Sequence, residues 1–166
     1  DQDYELGGMR MCSFDMCNRS AKIKWIKSFL NSEIEAVWKE NLHFMSKKKN
    51  LHLFLLSNFD INEVSNLPSY YKDCILFWRD IKCDSVISKS DLNSQLVWYN
   101  SCIKINKHTV YNERMFKIGL WHVNDFYLNG NLVPFEVWKN RGANDTDYLL
   151  WRGIIKAIPE YWKHLL

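Results

Sequence analysis

Apolar residues recur at helical spacing along most of this chain. Phe14, Cys17, Ala21, Trp25 and Phe29 fall on one stripe. Arg19, Lys24 and Lys27 lie away from it and Lys22 flanks it, which predicts an amphipathic helix with a basic outer side. Asn31-Ser32 ends that helix, and Ser32-Glu33-Ile34-Glu35 reads as a capping box for the next. Ile34, Val37, Trp38, Leu42 and Met45 form its apolar face, and Lys47-Lys48-Lys49 closes it with cations that suit a helix C-terminus. The run from Leu51 to Leu56 fits a strand or a buried helix equally well, and 58–66 reads as a polar connection.

Pro68 starts a further helix, where its missing N–H costs nothing, with Tyr71, Cys74, Ile75, Trp78 and Ile81 on its stripe. Ser88-Lys89-Ser90-Asp91 is another helix entry, running toward Trp98. Residues 102–111 alternate around Asn106-Lys107 and predict a small hairpin. Residues 113–118 read as a short helix stopped by Gly119, Asn129-Gly130 as a turn, and Pro134 to Gly142 as a helix between its start and stop signals. Asp145 is placed to cap a helix carrying Tyr148, Trp151, Ile155 and Ile158, which Pro159 breaks before a last turn with Trp162. The expected fold is mainly α: short packed helices with one small β-hairpin, in a single unit over 1–166, with no internal repeat.

Composition sharpens this picture at one point. There are eight tryptophans in 166 residues, and five are followed directly by a base: Trp38-Lys39, Trp78-Arg79, Trp138-Lys139, Trp151-Arg152 and Trp162-Lys163. The pairs fit a core built on aromatic anchors with bases on the wet side, or a surface of stacking rings among cations. Helical spacing favours the core. At 47% hydrophobic and 25% charged residues the chain is globular in character, and a net charge of +3 permits a polyanionic partner without demanding one. Five cysteines, an odd number with no C-x-x-C pair, argue against a disulfide framework and for a reducing compartment. No signal peptide and no apolar run long enough to span a bilayer is present, so no membrane partner is expected. A first residue of Asp, not Met, suggests a piece of a longer chain.

Candidate chemistry narrows quickly. Cys12 and Cys17 have four residues between them and no second close pair of ligands, and the five histidines are scattered, so no tetrahedral metal site is expected. There is no G-x-S-x-G, no phosphate-loop glycine spacing after Gly7-Gly8, and no adjacent Asp-Asp pair of the kind that holds Mg²⁺ for nucleotidyl transfer. What remains is positive charge: Arg19, Lys22, Lys24, Lys27 and Lys47-Lys48-Lys49 concentrate in the first third. Such cations release counterions from a phosphate backbone, or simply form a solvated helix face.

One ordered pattern is more specific. Gly7-Gly8-Met9-Arg10-Met11, then Arg19, Lys22, Trp25-Ile26-Lys27 and Leu30, resembles the stretch just after the polymerase domain in LINE-type (non-LTR) retrotransposon reverse transcriptases. There, Gly-Gly-Leu-x-Met-x-Asp/Asn leads into a Lys-rich helix holding Trp-Ile/Val-Arg/Lys-Arg-Leu. Pro68-Ser69-Tyr70-Tyr71-Lys72-Asp73 with Trp78 is similar to that region's Pro-x-Phe/Tyr-Tyr-Lys helix ending in Trp. Leu96-Val97-Trp98-Tyr99-Asn100 with Ile103, and Gly119-Leu120-Trp121-His122-Val123-Asn124-Asp125-Phe126, resemble its next two segments. Asn129-Gly130-Asn131-Leu132 with Phe135, then Ala157-Ile158-Pro159 with Trp162, continue the order to the end. Trp25, Trp78, Trp98 and Trp162 fall where the family also has Trp. Ser13 stands where the family has Asp or Asn, and Ser28 where a second base falls, leaving the first helix one charge poorer.

The resemblance implies a non-catalytic C-terminal segment of an RNA-directed DNA polymerase that supports the thumb side and contacts template RNA or primer DNA. The metal-binding aspartates of the family lie upstream, so no catalytic residue carries over, and the Mg²⁺ would belong to the polymerase domain. The expected phosphate contacts are Arg19, Lys22, Lys24 and Lys27, with weaker ones at Lys47, Lys48 and Lys49. The location implied is intracellular, in cytoplasm and nucleus. The competing expectation is a helical protein-interaction module whose exposed aromatics bind a partner chain.

Overall fold

The computed structural model describes residues 13–48, 50–82 and 86–166; the Gly7-Gly8 turn, Cys12, Lys49 and Cys83 lie outside them. Among the described residues the chain is mainly helical, with nine α-helices and two antiparallel strand pairs. Helix α1 (Phe14–Leu30) starts where the Ser13 hydroxyl accepts from the Met16 N–H at 3.2 Å. Its first two turns are exposed: Phe14 is 87% exposed, and Cys17 and Ala21 are open too. The buried face is Lys22, Ile26 and Phe29. The stripe read from Phe14, Cys17 and Ala21 is therefore corrected. The C-terminal half of α1 is the part that packs, with α4 (Ser69–Ile81) against it, and that neighbour selects a face turned toward Lys22 and Ile26.

Aromatic rings fasten this junction. Trp25 lies 5.1 Å from Trp38 and 5.2 Å from Tyr71, ring centre to ring centre, and Phe29 lies 5.3 Å from His43. The capping box predicted at Ser32 does not form. Helix α2 (Val37–Ser46) begins after Ala36, and Asn31 organises the turn before it by accepting from the Glu33 N–H at 2.9 Å and from Lys39 Nζ at 2.6 Å.

The ambiguous run is helix α3 (Leu51–Leu56), capped by Asn50, whose side chain accepts from the Leu53 N–H at 2.9 Å. Leu51, Leu53, Phe54 and Leu55 are all buried, and a six-residue run with one polar residue is too short and too apolar to show an amphipathic period. Its last carbonyls are held by α4: Trp78 Nε1 donates to Leu55 O at 2.8 Å, and Lys82 Nζ donates to Leu55 O, Leu56 O and Ser57 O. A cation at three C-terminal carbonyls answers both their unpaired acceptors and the negative end of the helix. The 58–66 connection holds a 3₁₀ turn, Ile61–Val64, and contributes Phe59 and Val64 to the core.

Ser88 and Asp91 form a full capping box on α5 (Lys89–Asn93), which stops short of Trp98. From there a turning segment runs between two neighbours: Val97 N–H donates to Trp121 O at 3.0 Å and Tyr99 N–H to Val110 O at 2.9 Å. Tyr99 takes a left-handed φ of 54°, and the fully buried Asn100 closes the turn, donating to Leu96 O at 2.7 Å and accepting from the Cys102 N–H at 2.9 Å.

The hairpin β1 (Lys104–Ile105) and β2 (His108–Thr109) turns over Asn106 and Lys107 at φ 52° and 70°. Two positive φ values match the hand of turn that suits twisted strands. A second hairpin, β3 (Tyr127–Leu128) with β4 (Asn131–Leu132), forms at Asn129-Gly130, where a turn is all the sequence predicts. Helix α6 (Glu113–Lys117) stops at Gly119, φ 95°, and α7 (Phe135–Asn140) follows Pro134 as expected. Asp145 does not cap α8 (Asp147–Ala157); its carboxylate pairs with Lys139 at 2.6 Å instead. The buried Asp147 takes the organising role, accepting from the Asn144 N–H at 2.9 Å and Arg114 at 3.1 Å. A short α9 (Glu160–Lys163) carries Trp162 into the core.

All eight tryptophans are described. Trp98, Trp138, Trp151 and Trp162 are buried, Trp25, Trp38 and Trp78 are half-buried, and Trp121 is exposed. The core-anchor reading of the rings holds for seven of them.

Candidate nucleic-acid interface

The cations of α1 divide by the face they occupy. Lys24 and Lys27 are exposed on the outer side, three residues apart and so neighbours on the helix surface, with no ion-pair partner among the described residues. Arg19 is exposed but engaged: its Nε lies 2.9 Å from Asp15, and its guanidinium 5.4 Å from the Phe77 ring centre.

Lys22 is a correction to the expected set. It is 8% exposed, on the face packed against α4, and its ammonium reaches Asp73 at 3.4 Å and sits 4.7 Å from the Phe77 ring centre. An aliphatic stem buried along apolar surface with its head drawn to a carboxylate is how a lysine is tolerated there. In that position it ties two helices together and is not presented to a polyanion.

The second group also separates. Lys47 is exposed at the C-cap of α2, with a left-handed φ of 53°. Lys48 turns inward, pairs with Glu63 and lies 5.0 Å from Phe54 and 5.4 Å from Tyr99. Glu63 also accepts from the Thr109 hydroxyl at 2.5 Å, so Lys48 joins α2, the 3₁₀ turn and the first hairpin. Lys49 lies outside the described residues. The site that survives is thus Lys24 and Lys27, with Arg19 beside them and Lys47 on a separate element.

Sequence reasoning missed several charged links that hold the scaffold. Lys104 donates to Asp60 at 2.8 Å, and that bond holds the Asp60 carboxyl below its usual range and raises the Lys104 ammonium. Burial pushes the Tyr99 hydroxyl up to about 12. Asp125 accepts from the Trp121 and His122 N–H groups, each at 2.7 Å, and so closes the turn before the second hairpin. Spacing signals cannot find the Asp60–Lys104 pair, because its two members come from distant segments.

No protein-family model matches the chain, and neither does any curated protein or solved structure.

The outer face of α1 gathers Lys24 and Lys27 with Arg19 beside them, an arrangement that can hold an anion. Among the described residues no cluster of three or more His, Cys, Asp or Glu side chains is arranged as metal ligands, and Cys17 and Cys74 are free thiols. No helix of the described residues is long and apolar enough to cross a membrane.

Proposed function

We propose that this chain is the C-terminal, post-polymerase segment of a retrotransposon RNA-directed DNA polymerase, a helical scaffold that supports the enzyme and touches template RNA or primer DNA through the outer face of α1. It carries no catalytic residue. The Mg²⁺ chemistry would belong to a polymerase domain elsewhere, working in cytoplasm and nucleus.

The observation that carries this reading is the ordered series of resembling segments from Gly7 to Trp162. Support comes from what those residues do in the fold. Asn100 closes a buried turn, Asp125 caps another, and Trp78 clamps the end of α3. Lys24 and Lys27 supply the unpaired charge that phosphate contact needs.

A second reading, a protein-interaction module, is favoured by Phe14 and Phe44, each 87% exposed. The coding frame before Asp1 decides between them. The polymerase reading requires Tyr/Phe-x-Asp-Asp about a hundred or more codons upstream. A continuous upstream frame without that motif would overturn it and leave the interaction module standing.

A further inference from the structure

The β3–β4 hairpin and α7 enclose a groove of about 670 Å³, within the size range of ligand sites. Its open walls carry aliphatic side chains beside Asn124, Asn129 and Asn131: Leu128 is 69% exposed, and Leu132 and Val137 are exposed too. Arg141 also lines it, its guanidinium 5.0 Å from the Trp138 ring centre and without a carboxylate partner among the described residues. A guanidinium laid on an indole keeps its N–H edge free and fixed, ready for a bidentate acceptor. Asp125 also lines the groove, but its Oδ2 already accepts two backbone N–H groups at 2.7 Å.

From this geometry we infer that the groove binds a short peptide segment of a partner protein, one carrying a carboxylate next to aliphatic side chains. The aliphatic walls take the apolar side chains and Arg141 takes the carboxylate. Nucleic acid fits poorly. One guanidinium beside one carboxylate leaves the groove without the net charge that a phosphate chain rewards. The site lies on different elements from the α1 lysines and does not depend on their role.

The test is a titration of the full chain, followed by amide and indole NMR shifts, with N-acetyl-Leu-Glu-Leu-amide as probe. The Glu probe should move resonances of Leu128, Leu132, Val137 and the Arg141 side chain. The isosteric Gln probe should bind about tenfold or more weakly, because a charge-assisted pair is lost. Arg141→Gln should weaken the Glu probe to the level of the Gln probe while distant resonances stay in place. Equal affinity for the two probes, shifts confined to other surfaces, or no shift at millimolar probe would overturn the proposal. So would a short oligouridylate that moves the groove resonances when the peptide does not.

Discussion

The Lys22 ammonium lies 3.4 Å from the Asp73 carboxylate, joining α1 to α4 at a junction that also holds Trp25 and Tyr71. This pair separates two roles that the sequence presents as one basic stretch. Lys22 belongs to the fold, whereas Lys24 and Lys27 face outward. Lys22→Ala should therefore lower stability by about 1 kcal/mol, mainly through lost stem packing, which is roughly 2–4 °C in Tm for a chain of this size. Lys24→Ala and Lys27→Ala should each stay within about 0.5 kcal/mol of the parent. Thermal denaturation of the three variants checks the split, and equal losses at all three would contradict it.

Asn100 gives a sharper prediction because it is fully buried and uses both ends of its amide. Asn100→Leu strands the Leu96 carbonyl and the Cys102 N–H together, a loss of about 2–4 kcal/mol. The urea midpoint should fall accordingly, with the slope of the transition unchanged. A loss under about 0.5 kcal/mol would mean that the turn does not rest on this side chain.

Gly153 on α8 faces Ile105 of the first hairpin so closely that an added Cβ would stand 2.7 Å from Ile105 Cδ1. Gly153→Ala alone should leave stability within about 0.5 kcal/mol of the parent, because the helix-propensity gain near 1 kcal/mol offsets the cost of turning the half-buried Ile105 Cδ1 methyl aside. In an Ile105→Val background, where the Cδ1 methyl is gone, the same change should stabilise by about 0.5 kcal/mol. A double-mutant cycle reads the coupling directly, and simple additivity would show that the two elements do not meet there.

The Asp60–Lys104 bond adds a pH-dependent part to stability. The folded carboxyl titrates below its unfolded range, so its contribution is present above the unfolded value near pH 4 and is lost as pH falls through the lower folded value. Lys104 has the opposite sign: its contribution is present below its unfolded value and fades only as pH rises through the raised folded one. Urea midpoints between pH 5 and pH 2.5 should therefore fall less steeply for Asp60→Asn than for the parent, and identical slopes would sink the assignment.

Local punctuation was legible in the sequence. Asn106-Lys107, Gly119, Pro134 and Gly142 each act at the residue expected, because turn and cap chemistry needs no distant partner. The helical character of Leu51–Leu56 was not legible, since a six-residue run with one polar residue is too short and too apolar to show a period. Nor was the orientation of α1, which depends on how much of the helix α4 covers. Asp145 illustrates the same limit: a residue type suited to capping was taken instead by Lys139 across the loop. The candidate site was legible as a basic stretch, and tertiary packing then withdrew Lys22 and Lys48 from its surface.

The nucleic-acid role proposed for the protein rests on a small, outward phosphate-binding face of α1 made by Lys24 and Lys27 with Arg19. It is tested most directly by titrating single-stranded RNA against the full chain at several salt concentrations. The account predicts a log–log slope of about 2, as three cations on a single strand would give, falling to below about 1 in the Lys24→Ala/Lys27→Ala variant and unchanged in Lys22→Ala. No binding at low salt, or a slope that the double variant leaves untouched, would contradict it.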